Sequence, residues 1–551
     1  MDRLRHCPWA LMLAFALAGT AGTAGALAGE RSPPTAAPAT PASASDALPA
    51  LPASAPPGVA WFRGNLQQAF ASAHAQKRLV FVYFGAVWCP PCQDLKATVF
   101  RRKDFLDRLS LYVPVYLDGD GPDAQYWADQ LHVIGYPTVL ILRSDRSEIE
   151  RVSGGMDLGR YAEVLSLGLQ SAQPREQLLQ AIEHGSRSLS GEQCRALAYN
   201  GWDLDEDWIY ADERPGALRH AGELLTKAAT RCPRDAVLER ARLTLSAAEA
   251  LASAESDALK QGRPASPALA AAVARVERIV AHEALVQDAG DALLDLPAAF
   301  FTAAARLDPA HAGSIEASFS QPLQRLGTDP RYSTATQLDA LHERLVVAKA
   351  FEPGGKLPAA LAAEARRRTE LELSRVHEPH ARTAVVNGAE NIFEALGDSR
   401  RLYSLLLDEI KTSATPYYYM VDLGDLEEQR GHKAAAIAWL QRAYEQSQGP
   451  ATRIQWGSHY VRGLIRMRPE DEAAISSAAL QVIGELRSGG AIHGRSRRAL
   501  QLMIAQLHDW NGSGQHPHAL AQIRAALGAA CSTVPHEDAA SLECGRFLAR
   551  I

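Results

Sequence analysis

Two cysteines separated by two prolines come soon after a continuous apolar run, and this combination limits the folds open to the chain more than any other feature. Residues 79–84 read Leu-Val-Phe-Val-Tyr-Phe, as expected for a central strand that is buried on both faces. The segment Cys89-Pro90-Pro91-Cys92 follows. Because proline is tolerated in the first turn of a helix, Pro90 and Pro91 predict an active-site turn that opens a helix directly behind a buried strand.

The spacing of these cysteines predicts redox chemistry. Two intervening residues in a helical turn bring the sulfurs close enough for a reversible disulfide. The unpaired N–H groups and partial positive charge of a helix N-terminus stabilise a thiolate. We therefore expect Cys89, at an exposed tip, to be the attacking nucleophile and Cys92, one turn deeper, to be the resolving thiol. No cofactor is predicted beyond the redox-active Cys89–Cys92 disulfide.

Two other interpretations of this pair remain open. The cysteines could form a structural staple, or they could be half of a metal site. Zinc would need two further Cys or His ligands at matching spacing, and the sequence has no evident pair. We predict no metal site.

The sequence around the pair alternates between strand and helix patterns. Asn65 is expected to cap a first helix, Asp104 a third helix from Phe105, and strands are expected at 111–117, 138–142 and 148–152, with helices at 123–131 and 157–169. This order predicts a small α/β domain with an antiparallel end.

The segment VFVYFGAVWCPPCQDLK resembles the thioredoxin family, as does VIGYPTVLIL, whose Pro137 follows Cys92 by 45 residues. Within this family, FGAVWCPPC, the following KATVF and the Asp-Gly-Asp-Gly segment at 118–121 resemble periplasmic domains of the C-terminal DsbD type. The resemblance implies a thioredoxin fold over 58–170, a central mixed sheet flanked by helices. It also implies that Pro137 is a cis-proline facing the disulfide, that the backbone of Tyr136 pairs with an extended substrate, and that Trp88 shields the sulfurs.

One position departs from the family pattern. Thioredoxins carry a buried acid six residues before the first cysteine, where this chain has Tyr83. The sequence therefore identifies no proton acceptor for Cys92. Lys96, one turn after Cys92, could favour the Cys92 thiolate or could be a solvated helix residue.

Residues 171–551 are rich in Ala, Leu, Glu and Arg with helical periodicity, so an all-α region is predicted. Three segments share a partial spacing typical of tetratricopeptide helices: Ala221, Leu225, Ala228 and Pro233; Phe301, Ala304 and Pro309; Ala436, Leu440 and Ala443. The distances between these segments are not multiples of 34, so a degenerate tetratricopeptide-like array and an unrelated α-helical domain both remain open.

The N-terminus has the pattern of an export signal. A basic start, an apolar stretch over 9–18 and small residues near Ala28 predict a cleaved signal peptide over 1–28, with a membrane anchor as the alternative. Residues 29–57, rich in Pro, Ala and Ser, predict a linker. No later run of apolar residues is long enough to span a membrane, so we expect a periplasmic or secreted protein with no transmembrane segment in the mature chain.

The remaining cysteines are interpreted as structural. Cleavage after residue 28 would remove Cys7 and leave six of the seven cysteines in an oxidising compartment. Nearest-neighbour pairing predicts structural disulfides Cys194–Cys232 and Cys531–Cys544. A second redox relay is the alternative, although neither pair has the C-x-x-C spacing.

Charge and other motifs narrow the function. Lys and Arg total 57 against 63 Asp and Glu, a net charge of −6, and no basic run is interleaved with aromatics, so nucleic-acid binding is not expected. The alternating Asp203, Asp205 and Asp207 lack the glycine and glutamate of a calcium loop. His377 and His380 are predicted to be solvated.

These observations predict an exported thiol-disulfide oxidoreductase, with the DsbD-type resemblance favouring a reductase. Its expected partners are protein thiols or disulfides in the cell envelope and a membrane protein as electron donor. The helical region would hold partners near the active site. The alternative is a helical interaction scaffold whose thioredoxin fold binds peptides without turnover. A disulfide isomerase would require dimerisation, and no dimer-forming segment is evident.

Overall fold

A computed structural model of the chain describes residues 51–152, 154–170, 173–185, 188–204, 216–488, 492–512, 514–535 and 538–551. The predicted signal peptide and linker residues 29–50 lie outside the described residues, as do Asp205 and Asp207 of the acidic loop.

The first part of the chain alternates helices and strands as predicted. Its elements are α1 (Leu66–Gln76), β1 (Val80–Gly85), α2 (Pro90–Ala97), α3 (Lys103–Leu109), β2 (Val113–Asp118), α4 (Pro122–Gln130), β3 (Thr138–Leu142), β4 (Glu148–Val152) and α5 (Arg160–Gln170).

These strands form one mixed sheet in the order β2-β1-β3-β4. β1 pairs with β2 in parallel, whereas β3 is antiparallel to both β1 and β4. β1 is buried along its whole length, as its apolar sequence predicted. Val82 and Phe84 pack towards α1 and α4 in one core, and Phe81 and Tyr83 pack into the core on the opposite face. The predicted thioredoxin-like fold is confirmed.

Some element boundaries differ from the predictions. Asp104 lies in the first turn of α3, and the helix begins at Lys103, because the Asp104 carboxylate accepts hydrogen bonds from the Arg102 side chain and the Phe105 N–H instead of capping from outside. Likewise α5 begins at Arg160, since the Asp157 side chain accepts the Gly159 N–H in the preceding turn.

The rest of the described chain is helical apart from turns and loops, as predicted. Its helices are α6 (Arg175–Glu183), α7 (Gly191–Tyr199), α8 (Ala217–Arg231), α9 (Val237–Ala254), α10 (Ser256–Lys260), α11 (Pro267–Val280), α12 (Glu283–Asp288), α13 (Gly290–Leu294), α14 (Ala298–Leu307), α15 (Ala312–Leu326), α16 (Thr334–Phe351), α17 (Ala359–Arg375), α18 (Pro379–Ala395), α19 (Ser399–Thr412), α20 (Pro416–Gln429), α21 (Lys433–Gln446), α22 (Pro450–Met467), α23 (Glu472–Glu485), α24 (Gly494–Asn511), α25 (Pro517–Cys531) and α26 (Ala539–Arg550).

Neighbouring helices pack closely through small residues. α20 packs against α21, and a Cβ added at Gly424 would lie 2.7 Å from Leu440 Cδ2. Ala436, Leu440 and Ala443 are buried at this contact. Pro416 and Pro450, which begin α20 and α22, are 34 residues apart, but α24 begins only at Gly494, so the spacing is not maintained. No helix within the described ranges has the length and apolarity that a membrane span needs.

The helical region is joined to the sheet through a buried arginine. Arg151 on β4 is fully buried and donates to the carbonyls of Leu131, His132 and Leu204 at 2.8 to 3.0 Å. Its guanidinium also bonds to Glu148. The two parts of the chain therefore share a polar contact in the interior.

Residues 51–57, predicted as the end of the linker, pack on the thioredoxin-like domain instead. The Ser54 hydroxyl donates to Asp118, and the Trp61 Nε1–H donates to the Pro56 carbonyl at 2.8 Å. These hydrogen bonds hold residues 51–57 against the domain, although their composition resembles that of linker residues 29–50.

Candidate active site

The two central cysteines lie where β1 leads into α2. Cys89 is the N-cap residue of α2, and Pro90 and Pro91 occupy its first turn. Cys89 and Cys92 form a disulfide with their Cα atoms 5.2 Å apart. The Cys92 N–H donates to Cys89 Sγ at 3.2 Å. A backbone donor at a helix N-terminus is thus directed at the Cys89 sulfur, an arrangement that favours a thiolate over a thiol after reduction.

The aromatic residues predicted for substrate binding lie beside this disulfide. The Tyr136–Pro137 peptide bond is cis. The rings of Trp88 and Tyr136 are 5.8 Å apart between centroids. The Tyr136 hydroxyl accepts from the Gln125 amide at 3.1 Å, and burial raises the pKa of Tyr136 to about 12. Trp88 and Tyr136 therefore pack in one core cluster with Cys89 and Cys92, and Pro137 directly follows Tyr136 in the chain.

The prediction that Cys89 lies at an exposed tip is wrong. Cys89 is 2% exposed, Cys92 is fully buried and Trp88 is 1% exposed. Pro137 and Pro90 are buried as well, and only Pro91 is half-buried. The reason is long-range packing, because α18 lies against α2, and α22 and α24 lie against α4.

Asp120 is the centre of the contact between the two regions. Its carboxylate accepts the Trp88 Nε1–H at 2.7 Å and the Thr452 N–H at 3.0 Å. The Thr452 hydroxyl and Arg495 Nη2 donate to the same oxygen, Arg495 at 2.7 Å. The Arg495 guanidinium carbon also lies 4.4 Å from the centroid of the Trp88 ring, at cation–π distance.

A second contact lies at the residue after Cys92. The Gln93 amide donates to the carbonyls of Ala86 and Val87 at 3.0 and 2.7 Å, and Gln93 Oε1 lies 2.6 Å from Nδ1 of His380. His380 was predicted to be solvated, but it is partly buried in the first turn of α18 because Gln93 faces it. His377 is exposed, as predicted.

Tyr83, which stands where thioredoxins carry a buried acid, does not supply a base for Cys92. The Tyr83 hydroxyl is buried with no hydrogen-bond partner in the described part of the chain, and burial raises the pKa of Tyr83 above its ordinary value. A neutral phenol with a raised pKa cannot accept a proton from Cys92.

Lys96 is buried, which decides between the two interpretations of this residue. It is 3% exposed, and burial lowers the pKa of Lys96 to about 8, an effect that the nearby Asp118 carboxylate opposes. Lys96 lies four residues after Cys92, on the same side of α2. The solvated interpretation is therefore wrong, and the side chain is a titratable group close to the resolving cysteine.

Asp94, on α2, and Asp118, at the end of β2, are half-buried acids with raised pKa values. Burial raises the pKa of Asp118, while the Ser54 hydrogen bond opposes the rise. Burial also raises the pKa of Asp94 to about 7, although the Ser333 hydroxyl donates to its carboxylate at 2.7 Å. Ser333 is the N-cap residue of α16, so this bond also crosses between the two regions.

Four further cysteines form two disulfides in the helical region. Cys194 on α7 is bonded to Cys232 at the end of α8, and Cys531 on α25 is bonded to Cys544 on α26, each with Cα atoms 5.7 Å apart. Across the described residues, no group of three or more His, Cys, Asp or Glu side chains is arranged to hold a metal ion.

Sequence reasoning missed the residues that cover the disulfide. Asp120 lies in the Asp-Gly-Asp-Gly segment, but nothing in the sequence assigned it a partner. Thr452 and Arg495 are 332 and 375 residues away from Asp120 along the chain, and no local pattern marks them. Covariation between these positions and Asp120 would have been the informative signal.

Comparison with known proteins assigns a family description to part of the chain. None of the curated proteins compared with the sequence matches it significantly. Residues 60–144, which include the β1–α2 junction and the cis-proline, match a family model described as thioredoxin-like.

Proposed function

We propose that the protein is an exported thiol-disulfide oxidoreductase that exchanges the Cys89–Cys92 disulfide with protein substrates, and that it acts as a reductase. The proposal rests on the position of Cys89 at the start of α2. This residue caps α2 and receives the Cys92 N–H at 3.2 Å, and it shares a core cluster with Tyr136, whose peptide bond to Pro137 is cis. The thioredoxin-like family match over 60–144 supports the same reaction class.

The proposed reaction balances without a further cofactor. The Cys89 thiolate attacks one sulfur of a substrate disulfide, forming a mixed disulfide and releasing one substrate thiolate. The Cys92 thiolate then attacks Cys89 Sγ, which re-forms the Cys89–Cys92 disulfide and releases the second substrate thiolate. Two electrons pass from the enzyme to the substrate, and a dithiol donor must supply two electrons to restore the reduced enzyme.

Localisation and partners form part of the proposal. The apolar segment near the N-terminus and the three disulfides support a periplasmic or secreted protein. Its substrates would be protein thiols or disulfides of the cell envelope. The resemblance to DsbD-type domains suggests a membrane protein as the electron donor. No nucleic acid is expected among the partners.

Trapping of mixed disulfides tests the proposal. Cys92→Ser leaves the attacking thiol but removes the resolving thiol, so substrates should remain attached to Cys89 as adducts that dithiothreitol releases. Cys89→Ser should form no such adducts. A double variant, Cys531→Ser with Cys544→Ser, is the matched control, because it removes a disulfide that does not belong to the C-x-x-C pair.

The outcome that refutes the proposal is specific. If the purified protein neither reduces disulfide test substrates nor oxidises dithiol test substrates, and Cys89→Ser changes nothing, the protein is not an oxidoreductase.

One observation favours a second candidate function. Because the disulfide is covered by the helical region and Cys89 is only 2% exposed, the protein could be a helical interaction scaffold that binds peptides without turnover. In that case Cys89→Ser and Cys92→Ser would leave the cellular phenotype intact, and disruption of α18–α25 would abolish it.

A further inference from the structure

Two carboxylates of the thioredoxin-like domain face the start of α24. Asp120 is hydrogen-bonded to Trp88, the residue before Cys89, and Asp129 lies near the end of α4. We call Trp88, Asp120 and Asp129 the acidic face. Trp88 directly precedes Cys89 in the chain. A substrate whose sulfur reaches Cys89 must therefore bring its flanking residues against this face.

The same chain covers this face with positive charge. Residues 493–497, His-Gly-Arg-Ser-Arg at the start of α24, are called here the basic segment. Arg495 donates to Asp120 at 2.7 Å and lies over Trp88. Arg497 and the Gly494 N–H donate to Asp129 at 3.2 and 2.8 Å. His493 Nδ1 lies 3.1 Å from Asp129. The basic segment thus engages both carboxylates.

This arrangement blocks the reaction in the present conformation. In thiol-disulfide exchange the attacking sulfur must contact the sulfur that it attacks. Cys89 is 2% exposed and Cys92 is fully buried, so neither sulfur can be reached from solvent. The cover over the face must therefore separate from the thioredoxin-like domain before any substrate can react.

The contacts also indicate the chemistry that the face binds. A guanidinium fits between an indole ring and a carboxylate because cation–π attraction and a charge-assisted hydrogen bond act on the same group. A partner that replaces the basic segment leaves Asp120 and Asp129 without counter-charges unless it supplies cations of its own.

We propose that the acidic face docks a basic segment next to the substrate cysteine, and that residues 493–497 occupy this face when no substrate is bound. The inference rests on the proposed function, because it assigns a substrate class to the same disulfide. In this proposal the basic segment autoinhibits the enzyme by covering its active site. Substrates compete with the basic segment for Trp88, Asp120 and Asp129.

The first measurement is chemical access to the disulfide in the full chain. Arg495→Gln removes the charge over Trp88, and Arg466→Gln is the matched control, because Arg466 pairs with Glu428 inside the helical region at 2.7 Å. We expect Arg495→Gln to accelerate reduction of Cys89–Cys92 by dithiothreitol about tenfold or more, because a charged hydrogen bond that holds the cover is lost. The control should match the wild type.

Equal reduction rates in the wild type and a folded Arg495→Gln variant would overturn the proposal. If circular dichroism shows that Arg495→Gln does not fold, Thr452→Val takes its place, since it removes only the hydroxyl that donates to Asp120. The same acceleration is then expected, and its absence has the same consequence.

The second measurement is binding of a cysteine-free peptide to the Arg495→Gln variant. The probe is the pentapeptide His-Gly-Arg-Ser-Arg with a fluorophore, and its control has both arginines replaced by glutamate. We expect the basic peptide to bind at least about tenfold more tightly than the glutamate control peptide. This difference in affinity should shrink as salt is added, and it should also shrink when Asp120→Asn is introduced. Equal binding of the two peptides would overturn the proposal.

Neither measurement depends on catalytic turnover. A protein that fails every test of oxidoreductase activity would still give a reduction rate and a peptide affinity. Failure of the proposed function and failure of the docking proposal are therefore distinguishable.

Discussion

The carboxyl group of Asp94 makes the stability of the protein depend on pH in a way that one substitution can isolate. This residue lies on α2, two positions after Cys92, and accepts the Ser333 hydroxyl across the contact with the helical region. Burial raises the pKa of Asp94 from 3.8 to about 7, and the nearby Asp339 carboxylate adds to the effect. Asp94→Asn removes the titration and keeps an oxygen that can accept the Ser333 hydroxyl.

The sign and size follow from the two pKa values. Because the folded-state pKa is raised, the stabilising contribution is complete below pH 3.8 and is lost as the pH rises through about 7. Each pKa unit corresponds to about 1.4 kcal/mol, so the raised pKa lowers the unfolding free energy by about 2 kcal/mol at pH 5, where only the unfolded state is ionised, and by about 4 kcal/mol at pH 8. Wild type should therefore lose about 2 to 3 kcal/mol relative to Asp94→Asn between these pH values.

The assay is urea unfolding of the full chain, followed by tryptophan fluorescence, at pH 5 and pH 8. The quantity to compare is the difference in unfolding free energy between each variant and the wild type at each pH. Asp107→Asn is the matched control, because Asp107 is exposed on α3 and pairs only with Lys103 at 2.6 Å. If the profiles of wild type and Asp94→Asn run parallel within about 0.5 kcal/mol, the account of Asp94 is refuted.

Three further predictions concern other buried groups. Burial raises the pKa of Glu150, so the wild type loses stability as the pH rises above 4.5. In urea unfolding, Glu150→Gln should be more stable than the wild type by at least about 1 kcal/mol at pH 8 and should show no gain at pH 4. Lys96→Met, made in a Cys89→Ser chain with Cys92 as a free thiol, should raise the pH midpoint for alkylation of Cys92 by about one unit, because a neighbouring positive charge is lost. An unchanged midpoint would show that Lys96 does not assist the resolving thiol. Gly424→Ala should cost about 1 to 3 kcal/mol because its Cβ would meet Leu440, whereas Gly484→Ala, with open space around its Cβ, should cost nothing.

Local patterns predicted the fold of the thioredoxin-like domain well. The predicted strands at 138–142 and 148–152 agree with β3 and β4, because buried apolar runs and a tight turn act over a few residues. Boundaries that depend on side-chain partners were less predictable. Asp104 lies inside α3 because its carboxylate prefers Arg102, which a pattern of helix caps does not reveal.

The surroundings of the site could not be read from the sequence. Cys89 was expected at an exposed tip, and Lys96 was expected either to favour the Cys92 thiolate or to be a solvated helix residue. A helix more than 280 residues away packs on α2, which follows Cys89 and carries Lys96, as the contact between Gln93 and His380 illustrates. Hydrophobic periodicity identifies which face of a helix is buried, but it does not identify the partner. The chemistry of the cysteine pair is local, whereas its accessibility is decided by the whole chain.

The distance along the chain between Asp120 and its partners has a consequence for biosynthesis. Thr452 and Arg495 follow Asp120 by 332 and 375 residues. Because domains fold as units and N-terminal domains fold first during synthesis, the thioredoxin-like domain takes shape before these two residues exist. A domain that folds during synthesis would leave Cys89 and Cys92 open to surrounding thiols and oxidants until α22 and α24, which pack on its helix α4, have been made.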